Sequence, residues 1–160
     1  MGKYKQVREK FTVGDGLDAS EIGDLRDEMQ EWVDNMGGTA LENTSRYQMA
    51  EEAVDLLSRV DDVQFDDIWD AINNTECLTG DLKNLEYEVV IFKVKSRRQY
   101  PSRGYRLSNT ISIINGALEC LRDFLEPYEA EEVGEVREVI DEVESIVQEL
   151  DGLEFPGMYG

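Results

Sequence analysis

The feature that most constrains the fold is a pair of apolar stripes in the last third of the chain. In the first stripe, apolar residues recur at alternating steps of four and three: Leu107, Ile111, Ile114, Leu118, Leu121 and Leu125. A second stripe follows at Val133, Val136, Ile140, Val143, Val147 and Leu150. Such spacing places each set along one face of an α-helix. Because Pro127 ends the first helix and only a short turn follows, residues 107–150 are predicted to form an antiparallel hairpin with coiled-coil-like packing.

A second helical hairpin is predicted over residues 19–60. Its first helix carries the apolar stripe Ile22, Leu25, Met29, Trp32 and Met36. Gly37 and Gly38 end that helix, because glycine closes a helix at little conformational cost. Residues 44–60 then place apolar side chains on one half of a helical wheel and charged ones on the other, which predicts a second helix. The short connection favours an antiparallel arrangement of the two helices.

The middle of the chain has a different pattern. Residues 63–72 predict a short helix lying on the first hairpin. Residues 85–95 are rich in β-branched and aromatic side chains, which predicts one strand. A single strand needs a partner, so we expect either a short local hairpin arm or the same strand of a second subunit.

Together these elements predict a mainly α fold in a single domain spanning residues 1–160, with its two hairpins forming a bundle and one short β-strand or hairpin arm. The predicted parts are, in order, the hairpin 19–60, the irregular segment 61–106 with its strand near 85–95, the hairpin 107–150 and the tail 151–160. No apolar run is long enough for a membrane span or a signal peptide, so a cytoplasmic location is expected.

The second constraint is charge, and it concerns function. The chain has 36 acidic and 16 basic residues, for a formal net charge of −20. This charge repels nucleic acids and anionic membranes and attracts basic surfaces. A basic protein is therefore the expected partner, and direct binding of DNA is not expected. Residues 93–106 are an exception, because they carry six basic residues and no acidic one.

The absence of histidine excludes several kinds of catalytic site. Ser-His and Cys-His nucleophiles lack their base. The two cysteines, Cys77 and Cys120, form no C-x-x-C pair and are too few for a zinc site, so two free, partly buried thiols are expected. No cofactor is predicted from these residues.

Four carboxylates on the first predicted hairpin could hold a metal ion. Glu28 and Glu31 form E-x-x-E on its first helix, and Glu52 and Asp55 form E-x-x-D on its second. This arrangement resembles the MazG-like all-α nucleoside-triphosphate pyrophosphohydrolases, and the resemblance implies Mg²⁺ ions that clamp phosphates and activate water. On the helical wheel, however, these carboxylates lie mostly away from the apolar stripes, which favours solvated helix faces instead.

The basic segment 93–106 has two interpretations. Its candidate contact residues are Lys93, Lys95, Arg97, Arg98, Tyr100, Arg103, Tyr105 and Arg106. Arginine forks bind phosphates and tyrosine rings stack on bases, so the segment could bind a nucleotide or RNA. Alternatively, it neutralises the acidic helices of its own chain or of a second subunit in a homo-oligomer.

Residues 25–57 carry a further resemblance. The acidic helix ends in Glu31, Trp32, Asp34 and Asn35, and a loop with Leu41 leads to a second helix rich in Ala, Glu and Leu. This stretch resembles small uncharacterised proteins of tailed bacteriophages, which implies a phage-encoded accessory protein in the cytoplasm of a bacterial host. The leading hypothesis is thus a non-enzymatic acidic protein, an anti-host factor that binds a basic, nucleic-acid-binding protein, with DNA mimicry as its sharpest form.

Overall fold

The computed structural model describes residues 2–38 and 44–156. The described elements are β1 (Tyr4–Thr12), α1 (Val13–Gly16), α2 (Ser20–Met36), α3 (Ser45–Leu57), α4 (Asp62–Asn73), β2 (Glu86–Val94), α5 (Arg103–Leu125) and α6 (Ala130–Gln148), with a 3-10 turn at Leu82–Asn84. The prediction of a mainly helical fold is confirmed, and the helices are accompanied by a small two-stranded antiparallel sheet. No helix in the described ranges is both long and apolar enough to cross a lipid bilayer.

The apolar stripes of α5 and α6 form much of the core. Apart from the half-buried Ile111, all their members are at most 3% exposed. α5 begins at Arg103 and not at Leu107, because the Ser102 hydroxyl caps it by accepting a hydrogen bond from the Tyr105 amide. α5 and α6 pack together. Arg122 of α5 forms ion pairs across this interface with Asp141 and Glu144 of α6.

The predicted pair of amino-terminal helices is also present, since α2 packs against α3. Thr44 caps α3 by accepting a hydrogen bond from the Tyr47 amide. α4 is a regular helix that begins with a capping box formed by Asp61 and Gln64. It packs chiefly against α6, whereas we expected it to lie on the first hairpin. Leu41 lies outside the described residues.

The partner of the predicted strand is the amino-terminal segment of the same chain. β1 and β2 pair antiparallel, with Tyr4 opposite Val94 and Thr12 opposite Glu86. This partner is a distant segment of the same chain and not the local hairpin arm that we expected as one alternative. β1 was not predicted, because most of its residues are charged or polar. Some of these charges are balanced across the two-stranded ribbon of β1 and β2, where Arg8 lies 3.6 Å from the Glu88 carboxylate.

Helix α5 covers β2 and closes its outer edge. The Asn109 side chain donates a hydrogen bond to the Phe92 carbonyl (2.7 Å) and accepts one from the Phe92 amide (2.8 Å), as a neighbouring strand would. Further along, the Tyr87 hydroxyl donates to the Ile113 carbonyl at 2.7 Å. The two elements also pack tightly at Gly116, where an added Cβ would lie 2.5 Å from Val89.

Candidate functional site

The structure does not bring the four candidate metal ligands together. Glu31 and Glu52 are exposed, and Asp55 forms an exposed ion pair with Arg59 at 3.1 Å. Glu28 alone points toward another element, and its partners there are arginines. Across the described ranges, no group of three or more Asp, Glu, Cys or His side chains is arranged to hold a metal ion.

Glu28 of α2 instead holds two arginines from the first turns of α5. One carboxylate oxygen accepts hydrogen bonds from Arg103 Nε at 2.9 Å and from Arg106 Nη1 at 3.0 Å. The other accepts from Arg106 Nη2 at 2.7 Å, and Arg106 Nε donates to Glu21 at 2.6 Å. These charge-assisted bonds tie the start of α5 to α2.

The arginines also set the protonation of this cluster. Hydrogen bonds from Arg106 lower the pKa of Glu28 below its usual value, although burial opposes the shift. The same bonds raise the pKa of Arg106. A carboxylate whose pKa is lowered on folding stabilises the folded state above the ordinary glutamate pKa of about 4.3. That contribution is lost as the pH falls through the lowered value.

The predicted basic segment therefore divides into two parts. Arg103 and Arg106 are half-buried and paired, and Lys93 on β2 pairs with Glu9 on β1. Lys95, Arg97 and Arg98 are exposed and form no ion pair with any described residue.

Two cations that the sequence analysis did not single out lie at the same end of the ribbon. Lys5 is directly opposite Lys93, and the Lys95 amide donates a backbone hydrogen bond to the Lys3 carbonyl at 2.8 Å. The lysine end, defined as Lys3, Lys5, Lys93 and Lys95, thus places two pairs of like charges opposite each other. Such pairs are destabilising in a sheet. The signal in the sequence was the high basic content of residues 3–10 beside β-forming aromatic and branched residues.

Aromatic side chains join the lysine end to α5. Tyr4 stacks on Tyr105 with ring centroids 3.7 Å apart, and Phe92 meets Tyr105 edge-on at 5.1 Å. The Tyr4 hydroxyl accepts a hydrogen bond from the Ser102 amide at 2.7 Å. Tyr100 makes no such contact and is 94% exposed.

A cleft of about 740 Å³ opens between these groups. Its walls include Tyr4 from β1 and Lys3 just before it, Glu28 from α2, Arg103 from α5 and Tyr100 from the connecting loop. This volume is in the range of small-molecule binding sites. Three of the eight predicted contact residues, Tyr100, Arg103 and Arg106, thus border a concave surface together with residues from the amino-terminal part of the chain.

Negative charge predominates on α4 and α6. Their sequences contain 11 acidic residues, four on α4 and seven on α6, and one basic residue, Arg137. Arg137 donates a hydrogen bond to the Leu125 carbonyl at 3.0 Å. We define the acidic face as seven of the exposed carboxylates on these two helices: Asp66, Asp67, Asp70, Glu131, Glu135, Glu138 and Glu142. None of these seven forms an ion pair with another described residue.

The two tryptophans and the two cysteines belong neither to the cleft nor to the acidic face. Trp32 and Trp69 are partly buried against the core. Cys77 and Cys120 are free and half-buried, as expected, and burial raises the pKa of the Cys120 thiol.

Comparison with known proteins gives no match. No protein-family model, curated protein or solved structure matches this chain. The resemblances to tailed-phage proteins and to pyrophosphohydrolases therefore stay predictions that rest on the sequence motifs quoted above.

Proposed function

We propose that this protein is a non-enzymatic interaction protein whose acidic face binds a basic surface on a nucleic-acid-binding protein. The observation that carries the proposal is the acidic face itself: seven exposed carboxylates on two packed helices, without ion pairs to described residues. A protein that needed these groups only for solubility would gain nothing from concentrating them on α4 and α6.

The geometry of α6 supports an electrostatic role. Glu131, Glu135, Glu138 and Glu142 follow steps of four, three and four, so they lie on one face of the helix. At a rise of about 1.5 Å per residue, the row is about 16 Å long. α4 packs beside α6 and adds Asp66 and Asp70.

A row of fixed negative charges favours a partner that already binds a row of phosphates. DNA carries one phosphate per about 3.4 Å of axis on each strand, so the acidic face is sparser than DNA but has the same sign and a similar linear form. Complementary charge accelerates encounter and suppresses wrong partners. In the DNA-mimic form of the proposal, the face occupies the nucleic-acid site of its partner.

The buried stripes of α5 and α6, and the packing of α2 on α3, support a helical bundle that keeps the acidic face rigid. Rigid presentation matters, because a binding surface that is already ordered loses little entropy on association. Within this proposal the protein is a phage-encoded anti-host factor in the cytoplasm of a bacterial cell, and its partner is a basic host or viral protein.

The test compares two variants of equal net charge. In the face variant, Glu131, Glu135, Glu138 and Glu142 are changed to glutamine, which alters the charge from −20 to −16. In the control variant, the exposed residues Asp24, Glu31, Glu51 and Glu52 on α2 and α3 are changed to the corresponding amides, with the same result.

Each protein is immobilised and exposed to bacterial lysate, and the retained proteins are identified by mass spectrometry. We expect wild type and control to retain a nucleic-acid-binding protein that a short DNA duplex displaces, and the face variant to lose it. Equal loss in both variants would show that only bulk charge matters. Retention that the duplex does not affect would contradict occupation of the nucleic-acid site.

A further inference from the structure

A second candidate site is built from different elements than the acidic face, because none of its lining residues belongs to α4 or α6. We propose that the cleft beside Tyr100 binds a nucleotide, with its phosphates held by Lys3 and Arg103 and its base stacked on Tyr100. All three residues border the cleft of about 740 Å³.

The first support is positive charge that the protein does not neutralise. Lys3, Lys5, Lys95, Arg97 and Arg98 form no ion pair with any residue in the described ranges, although the chain has 36 acidic residues to offer. Lys5 of β1 is moreover directly opposite Lys93 of β2, and the Lys95 amide donates a hydrogen bond to the Lys3 carbonyl just beyond the strands, so like charges meet at this end, an arrangement that opposes folding. An anion bound at this end would relieve that repulsion.

The second support is the way Arg103 is held. Its Nε donates to Glu28, and its side chain is only 20% exposed. Its two terminal nitrogens have no hydrogen-bond partner among the described residues. In Arg106, by contrast, all three guanidinium nitrogens donate hydrogen bonds to carboxylates. Glu28 thus orients the Arg103 guanidinium, and the two terminal nitrogens form a fork that stays available to a ligand in the cleft. Such a fork matches the geometry of a phosphate.

The third support is the exposed ring of Tyr100. The side chain is 94% exposed, so it does not pack in the core. An aromatic ring that lies in water makes no contact that stabilises the fold. Beside Pro101 at the mouth of a cleft, its ring is accessible to a base. Base stacking on an aromatic side chain is tolerant of base identity, so the proposal names a nucleotide and not a particular base.

The net charge of the protein favours a small ligand over a long strand. Charges further away than about 8 Å are largely screened at physiological salt, so a mononucleotide at the cleft feels mainly the lysine end. A longer strand would extend over acidic surface and gain little from each added phosphate. Free nucleotide and single-stranded RNA share the same chemistry, and the two are separated by experiment.

The experiment is calorimetric titration of the whole protein with four probes: ADP, pyrophosphate, adenosine and a short single-stranded oligouridylate. We expect saturable binding of ADP that is tighter than binding of pyrophosphate or adenosine. The oligouridylate should bind no more than about tenfold tighter than ADP, because only its first nucleotide meets uncompensated cations.

Variants then locate the site. Tyr100→Ala should weaken ADP binding about 5- to 100-fold, whereas Tyr100→Phe should retain it. Lys3→Ala should weaken binding at low salt and less at high salt. Lys10→Ala is the matched control, since Lys10 is an exposed lysine of the same strand paired with Glu86 at the far end, and it should have no effect.

Three results would overturn the proposal: no saturable binding of ADP to folded protein, ADP binding that is unchanged in both Tyr100→Ala and Lys3→Ala, or pyrophosphate binding as tight as that of ADP. Concentration-dependent self-association that Lys3→Ala abolishes, without ADP binding, would instead assign the lysine end to the acidic face of a second copy. Because the substituted side chains are exposed, native-like melting of each variant is expected and is checked by circular dichroism.

Discussion

Two glycine-to-alanine changes should shift stability in opposite directions. Gly134 on α6 is exposed, and an added Cβ would meet no atom within 4 Å. Gly134→Ala should therefore stabilise the protein by about 0.8–1.0 kcal/mol through helix propensity alone. In a chain of this size, such a change raises the melting temperature by about 2–4 °C.

Changing Gly116 on α5 to alanine would bring the same gain in helix propensity, but other side chains already occupy the space of the added Cβ. Its added Cβ would lie 2.5 Å from Val89 Cγ1, 2.7 Å from Tyr87 Cε2 and 2.9 Å from Tyr87 Cδ2. The Tyr87 ring is fixed by its hydrogen bond to the Ile113 carbonyl, so it cannot move aside freely. Overpacking costs about 1–3 kcal/mol, which exceeds the propensity gain.

Urea unfolding of the two variants beside wild type measures the difference. We expect Gly134→Ala to unfold at higher urea than wild type and Gly116→Ala at lower urea, with a gap of about 1–3 kcal/mol between them. If Gly116→Ala were stabilised as much as Gly134→Ala, α5 would not pack closely on β2, and the ribbon would have to lie elsewhere.

Further changes test other parts of the fold. Ile114→Asp places an unpaired charge at a fully buried position and should destabilise by about 4 kcal/mol or more, so native-like thermal melting would contradict the predicted core. Asn109→Ala leaves the Phe92 amide and carbonyl without their partner and should cost about 1–3 kcal/mol in urea unfolding, with faster hydrogen exchange at the Phe92 amide as the specific sign. Glu28→Gln should cost about 1–2 kcal/mol at neutral pH after solvent screening. Because Arg106 lowers the pKa of Glu28, the difference from wild type should shrink in acid as wild-type Glu28 is protonated, and a difference independent of pH would contradict the ion-pair cluster.

The helices were predictable from the sequence because their signal is local. The stripes of α5 and α6 repeat within each helix, and nothing elsewhere in the chain is needed to recognise them. The start of α5 was placed four residues late, since the periodic signal begins at Leu107 while the helix begins at the Ser102 cap.

The ribbon and the cleft were not predictable in this way because they depend on residues about 90 positions apart. β1 consists mostly of charged and polar residues, so it has no clear strand pattern of its own, and it is recognisable only once Tyr4 is known to lie opposite Val94. The cleft likewise joins Lys3 to Arg103. The helical wheel placed the four candidate carboxylates mostly away from the apolar stripes, so it did not predict that Glu28 contacts two arginines about 75 positions further along the chain.

The most direct test of the proposed function is the association rate of the retained partner protein with wild type, the face variant and the control variant. If the acidic face attracts the partner electrostatically, the face variant should associate at least about tenfold more slowly than wild type at low salt. This difference in rate should become smaller as salt is added. The control variant, with the same net charge, should associate nearly as fast as wild type. Equal rates for the two variants would contradict the claim that α4 and α6 form the binding surface.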